Sequence, residues 1–255
     1  MKYQKKWSRQ MLIKGILFDK DGTLIDFNSL WLKAAKEVAR LFLQVNGLTD
    51  TKELQQVILE AMGVINDTID AKAPLAYQTY PEIAKSICDA LQKEAVEPDE
   101  ELAGQQLSVL FESVIGRKEF SYQQIVPLKE LFDRLHQEHV LIGLATADTD
   151  TAVRRCFQKL GILSYFDFLG WDDGSMKPKP DTDMFERFRK KYDLQAQEIM
   201  VVGDTLNDML FAHRCHATAA GVLSGLATYE ELEKEADIVL ENVGEIPDYL
   251  ADQCI

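Results

Sequence analysis

At 255 residues, 46% of them hydrophobic, the chain is long enough to bury one large core or two moderate ones and too apolar to be a disordered tail. With 28 Lys and Arg against 42 Asp and Glu, its formal charge of −14 excludes non-specific nucleic-acid binding but not a small phosphorylated ligand held by a local cation. Cys88, Cys156, Cys215 and Cys254 form no Cys-x-x-Cys pair, so they read as free thiols in a reducing compartment, not as disulfides or a zinc site. No stretch reaches the roughly 20 apolar residues that span a bilayer. The apolar run after the basic stretch Lys2 to Arg9 is too short for a signal peptide and leads into an acidic loop. The expectation is a cytoplasmic protein with no membrane or nucleic-acid partner.

In chain order, Ile13 to Phe18 reads as a buried strand that ends abruptly at Asp19-Lys20-Asp21-Gly22-Thr23. Residues 27 to about 120 carry a helical pattern with no convincing strand. Leu30, Ala34, Leu41 and Val45 share one helical side, and Asn46-Gly47 stops it. Asp50 with Glu53 reads as a capping box for a helix to Met62, closed by Gly63. Thr79, Pro81 and Glu82 open the next helix, and Pro98-Asp99-Glu100 opens one that Gly116 stops. Afterwards strands and helices alternate. Strands are expected at 140–145, 166–169, 199–202, 218–222 and 238–240, with helices at 127–138, 151–160, 181–191, 207–215 and 228–235. This alternation predicts an α/β fold, a mostly parallel Rossmann-like sheet with helices on both faces. The long helical stretch after the first strand is expected as an inserted all-helical domain.

Four polar loops fall at the C-terminal ends of predicted strands, where open α/β sheets place their ligands. The first carries Asp19 and Asp21, two carboxylates that are costly at a strand end unless a cation sits between or beside them. A hard divalent cation suits such oxygen ligands, and Gly22 permits a sharp turn that exposes backbone N–H groups. The second, Ala145-Thr146-Ala147-Asp148, offers a hydroxyl that can meet a phosphoryl oxygen or cap a helix. The third, Ser175-Met176-Lys177-Pro178-Lys179-Pro180-Asp181, holds two lysines on a proline-stiffened turn, where each can neutralise an anion or simply be solvated. The fourth, Gly203-Asp204-Thr205-Leu206-Asn207-Asp208, places two acids four residues apart, the second also suited to capping a helix start.

Asp-x-Asp-Gly-Thr after a hydrophobic strand resembles the first motif of the haloacid dehalogenase-like hydrolase superfamily. The other three loops resemble its second, third and fourth motifs, in the family's order, and the likeness covers about residues 12–26 and 120–250. It points to the phosphoglycolate phosphatase-like and β-phosphoglucomutase-like members with a helical cap. The implied domains are a catalytic core of residues 1–26 and 119–255 and a cap of residues 27–118, which would limit access to small substrates.

The resemblance also implies roles. Asp19 is the nucleophile that forms an aspartyl-phosphate, and Asp21 is the acid and then the base. Thr146 and Lys177 hold the phosphoryl oxygens, with Lys177 taken from the Lys-Pro-x-Pro-Asp pattern and Lys179 left in its variable position. Mg²⁺ is the cofactor, with Asp19, the backbone carbonyl of Asp21, Asp204 and Asp208 as the metal set. The expected activity is hydrolysis of a small phosphorylated metabolite: phosphoglycolate-like, phosphosugar or nucleotide. A sugar-phosphate mutase and a non-enzymatic phospho-ligand-binding protein are the alternatives. The second acid argues against haloacid dehalogenation, whose ester intermediate leaves no alkoxide to protonate. Arg40, Lys72, Lys85, Lys93, Arg117 and Lys118 are the cations available on the insert, and nothing in the sequence indicates an oligomeric state.

Overall fold

The computed structural model describes residues 13–69, 74–96, 98–117, 121–172 and 174–253. The chain divides into two compact units. One comprises the described residues up to Ile25 and from Gln124 onward; the other is Asp26–Gln123.

The first unit is built on β1 (Gly15–Phe18), which lies at the centre of a sheet. All four of its residues are buried, as expected of a strand covered on both faces. In the second unit, α1 (Phe27–Val45) leads to α2 (Lys52–Met62). The side chain that caps α2 is Thr51, which accepts from the Leu54 N–H at 3.2 Å; Asp50, the expected cap, instead accepts from Gln55 at 2.6 Å. A cap's oxygen must reach the N2 or N3 amide, and Thr51 is the residue whose extended backbone directs it there.

Gly63 then ends the helix in the left-handed region, and a hairpin follows. Its strands are β2 (Val64–Ile65) and β3 (Thr68–Ile69), paired antiparallel. The unit is therefore not all-helical as expected. Asn66 and Asp67 both take positive φ, the conformation a two-residue hairpin turn requires, and two-residue strands are too short to show an alternating pattern. The unit closes with α3 (Pro74–Tyr77), α4 (Tyr80–Lys93), which has the expected Thr79–Glu82 capping box, and α5 (Glu100–Ile115), capped by Asp99. Helix α5 packs on α1 and α4, and Phe42, Ile87, Leu91, Leu107 and Phe111 are fully buried in this unit. Arg40 and Arg117 are not loose cations, since both donate to Glu37. Lys72 and Lys118 lie outside the described residues.

The remaining elements belong to the first unit. They are α6 (Leu128–Gln137), β4 (Leu141–Ala145), α7 (Asp150–Leu160), β5 (Phe168–Gly170), α8 (Asp183–Lys191), β6 (Ile199–Gly203), α9 (Leu206–Arg214), β7 (Thr218–Val222), α10 (Tyr229–Leu232), β8 (Ile238–Leu240) and α11 (Ile246–Asp252). Helix α10 is shorter than expected, and α11 was not expected; it buries Ile246, Pro247 and Leu250. The six strands run in the order β5-β4-β1-β6-β7-β8, every neighbouring pair parallel. Phe185, Phe188, Met209 and Phe211 form a core cluster with Leu17 and Val201 of the sheet. Phe132 packs 6.0 Å from Phe18 and 5.2 Å from Phe166, and Phe157 stacks on Phe166 at 4.6 Å. Because parallel strands share one polarity, the loops after β1, β4 and β6 emerge at the same edge.

Candidate active site

Asp19 is the first residue past β1, and its N–H still donates to the Val202 carbonyl of β6 at 2.8 Å. That bond carries the strand register one residue into the loop and fixes where the carboxylate begins. The chain then turns at Gly22, with φ of 79°, and the Gly22 N–H donates to the Ile25 carbonyl at 2.7 Å. The Ser224 hydroxyl locks the turn by donating to the Gly22 carbonyl at 2.7 Å.

Asp204 follows β6 and is 1% exposed. Its two oxygens accept from the Thr23 hydroxyl at 3.2 Å and the Leu226 N–H at 2.9 Å. Gly22 and Gly225 press against this carboxylate so closely that a Cβ at either position would overlap it. Two chain segments, Gly22-Thr23 and Gly225-Leu226, therefore converge on one side chain, and glycine is required where the backbone comes closest.

Asp208 sits in the first turn of α9, whose N-cap is Thr205. Its Oδ2 accepts from the Thr205 N–H at 3.1 Å and the Thr205 hydroxyl at 2.5 Å, while its Oδ1 accepts from Lys179 Nζ at 2.5 Å. Lys179 Nζ also donates to Asp19 Oδ1 at 2.7 Å, and its side chain is 6% exposed. Asn207 Nδ2 donates to the Lys179 carbonyl, so α9 holds both ends of this lysine.

The expected lysine, Lys177, is not in the cluster. Its side chain is 74% exposed and its ammonium lies 3.5 Å from Asp181. The physical reason is the turn at Pro178–Asp181, closed by the Asp181 N–H donating to the Pro178 carbonyl, which sends the two lysines to different environments. Lys179 takes the place expected of Lys177. The available signal was that Lys179-Pro180 is the pair nearer the start of α8.

Thr146 follows β4 and is 3% exposed. Its N–H donates to the Gly170 carbonyl at 3.1 Å and its Oγ1 accepts from the Asp148 N–H at 3.2 Å. Asp21 lies one residue past Lys20, whose Nζ contacts Asp21 Oδ2 at 2.7 Å and Asp148 Oδ2 at 3.0 Å. Lys20 is almost wholly buried, and the sequence reading passed over it. The local signal was its neighbour Asp21; the distant Asp148 left none.

The charges leave the cluster short of positive compensation. Burial pushes the Asp19 carboxyl up to about 6, the Lys179 ammonium opposes this, and Asp208 reinforces it. Asp204 is held well above the carboxylate range, first by burial and then by Asp19 and Asp208. Burial works against the Lys179 ammonium, yet Asp19 and Asp208 outweigh it and hold its pKa above the ordinary lysine value. Lys20 behaves likewise, with Asp21 and Asp148 outweighing its burial.

Asp19, Asp204 and Asp208 each offer a carboxylate oxygen within 4.8 Å of the others. All are hard oxygen donors, the chemistry that Mg²⁺ accepts. Both oxygens of Asp208 are already engaged, by Lys179 and Thr205, whereas Asp204 forms no ion pair with a lysine or arginine among the described residues. The donor set fits a divalent cation, with Asp19 and Asp204 as the carboxylates best placed to hold it.

A family model described as haloacid dehalogenase-like hydrolase matches residues 13–216. A phosphoglycolate phosphatase of Vibrio vulnificus is 28% identical over 242 residues, which span 94% of this chain and 96% of that one. The crystal structure of a predicted phosphoglycolate phosphatase from Haemophilus somnus superposes with a TM-score of 0.70 at 18% identity, covering 94% of this chain and 98% of that one. The Bacillus subtilis hydrolase YfnB, in a magnesium-bound crystal form, superposes at 0.66 with 16% identity, covering 94% and 99%.

Proposed function

The chain belongs to the haloacid dehalogenase-like hydrolases, and from that premise we propose that it is a Mg²⁺-dependent phosphatase acting on a small phosphate monoester. One observation carries the proposal: a carboxylate at the end of the central strand, Asp19, is held by the buried Lys179 beside the buried Asp204, which pairs with no lysine or arginine among the described residues. That arrangement supplies a nucleophile and fixed positive charge at one point.

The Asp19 carboxylate oxygen attacks phosphorus as the bond to the leaving oxygen breaks, and the Asp21 carboxyl gives its proton to that oxygen. The resulting aspartyl-phosphate is hydrolysed when Asp21, now a carboxylate, takes a proton from an attacking water. Asp19 and inorganic phosphate are released. Lys179 and Thr146 hold the phosphoryl oxygens, and Lys179 keeps the Asp19 oxygen aimed. Asp19, Asp204 and the Asp21 backbone carbonyl would hold the cation, and Asp208 acts through Lys179. When bound, Mg²⁺ neutralises charge on the phosphoryl group and keeps the carboxylates ionised. The name of the Vibrio relative and its match over nearly the whole chain support a phosphoglycolate-like substrate. The Asp26–Gln123 unit is the cap that selects for small size. Buried thiols at Cys88, Cys156 and Cys215, and no described helix able to cross a membrane, support a cytoplasmic setting.

The test is phosphate release from a panel of about a hundred phosphorylated metabolites with Mg²⁺. Asp19→Asn is expected to lower kcat at least a thousandfold, and EDTA to abolish turnover until Mg²⁺ is restored. Full turnover by a metal-free sample would end the Mg²⁺ reading. Product that retains its phosphate, formed only with a bisphosphate activator, would replace the phosphatase by a mutase.

A further inference from the structure

Lys20 and Asp148 are not needed by the chemistry above, yet they form a buried polar chain that ends on its proton donor. Lys20 is 1% exposed, and its ammonium lies 2.7 Å from Asp21 Oδ2 and 3.0 Å from Asp148 Oδ2. Asp148 is itself fixed on several sides. Its Oδ1 accepts from the Thr149 N–H at 2.9 Å, its carbonyl accepts from the Asp172 N–H at 3.0 Å, and its own N–H donates to Thr146 Oγ1 at 3.2 Å. The backbone of Lys20 is held just as firmly, because its carbonyl accepts from both the Leu24 and Ile25 N–H groups at 2.9 Å.

A buried ammonium facing two carboxylates is a costly way to fill space at the end of a strand, and an apolar side chain would fill it without the desolvation. What the lysine adds is geometry. The ammonium reaches across from the β1 loop to the β4 loop and ties the carboxylate of Asp21 to the segment that carries Thr146. An Asp side chain has two rotatable bonds, and a proton donor must stay within hydrogen-bond reach of the leaving oxygen while that bond breaks.

We propose that Lys20 and Asp148 are positioning residues that hold the Asp21 carboxyl in line with the leaving oxygen, so that they govern leaving-group protonation and not phosphorus attack. The inference rests on the reading of Asp21 as the acid. It names a selectivity that follows from that role: the pair matters for poor leaving groups, such as the alkoxide of an alkyl phosphate, and hardly at all for a good one that departs unprotonated.

The experiment compares kcat/KM, which reports the steps up to departure of the alcohol, for 2-phosphoglycolate and for 4-nitrophenyl phosphate. The proteins are wild type, Asp21→Asn, Asp148→Asn, Lys20→Met and the double variant Asp21→Asn/Asp148→Asn, each checked for its melting temperature. Asp148→Asn keeps the side-chain size and stays informative if Lys20→Met does not fold. The expected result is that Asp148→Asn and Lys20→Met lose at least tenfold more activity on the alkyl ester than on the aryl ester. Asp21→Asn shows the same pattern, and the double variant loses no more than Asp21→Asn alone. Selective loss in Asp21→Asn with equal losses on both esters in a folded Asp148→Asn overturns the positioning role and leaves Asp21 as the acid. Equal losses on both esters in Asp21→Asn itself remove the acid reading, and the positioning role with it.

Discussion

Two lysines two residues apart sit in different physical worlds. Lys179 is enclosed by Asp19 and Asp208, whereas Lys177 projects into solvent toward Asp181. Removing the first leaves the buried Asp208 and the largely buried Asp19 without their cation, a far larger change than deleting an exposed charge. Lys179→Met is therefore expected to lower kcat/KM at least a hundredfold and Lys177→Met less than about threefold, read by phosphate release. Asp19 itself makes the fold sensitive to pH. Its carboxyl titrates near 6 in the folded chain, above the ordinary 3.8. Between these values the folded chain holds a proton that the unfolded chain has released, so stability falls as pH rises through about 4 to 6. A bound cation removes that penalty. The rise in melting temperature on adding Mg²⁺ is expected to be several degrees larger at pH 7.5 than at pH 4.5, measured by calorimetry.

The element that organises the acids is the N-terminus of α9. Thr205 closes a reciprocal capping box with Asp208, and the same carboxylate reaches Lys179 through its other oxygen. A structural device and an active-site device thus share one side chain. Thr205→Ala removes the cap and frees the carboxylate to rotate. It is expected to cost about 1 kcal/mol, a fall of about 2–4 °C in melting temperature for a chain of this size. It is also expected to lower kcat about tenfold, because the orientation of Lys179 passes through Asp208. A variant as stable as the wild type would show that the box adds nothing to the helix. The glycines follow the same logic, since Gly22 and Gly225 are small because Asp204 lies against their backbones.

For the whole molecule, the charge of −14 opposes the arrival of a phosphate dianion, and only the local cations offset it. Raising ionic strength from about 10 to 150 mM at saturating Mg²⁺ is expected to increase kcat/KM severalfold, because screening weakens the long-range repulsion more than the buried contacts. A fall in kcat/KM over the same range would mean that the field at the site entrance is positive despite the total.

By itself the sequence determined the succession of strands in the six-stranded sheet, because runs such as Ile16-Leu17-Phe18 and Met200-Val201-Val202 are apolar throughout and give way within two residues to an acid. With parallel strands, those stops must share one edge, so Asp19, Thr146 and Asp204 could be placed there from pattern alone. Tertiary structure decided the pairings within the loops. Lys179 meets a carboxylate 160 residues away and Lys20 meets Asp148, and neither distance leaves a trace in local spacing. Lys177 and Lys179 are each followed by a proline in the sequence, and only the folded turn at Pro178–Asp181 separates buried from exposed. The hairpin at Val64–Ile69 was illegible because its strands are no longer than one pattern repeat. Hydrophobic periodicity reports which face of an element is buried. It carries no information about which buried charge answers which, because that depends on distances that exist only once the sheet has formed.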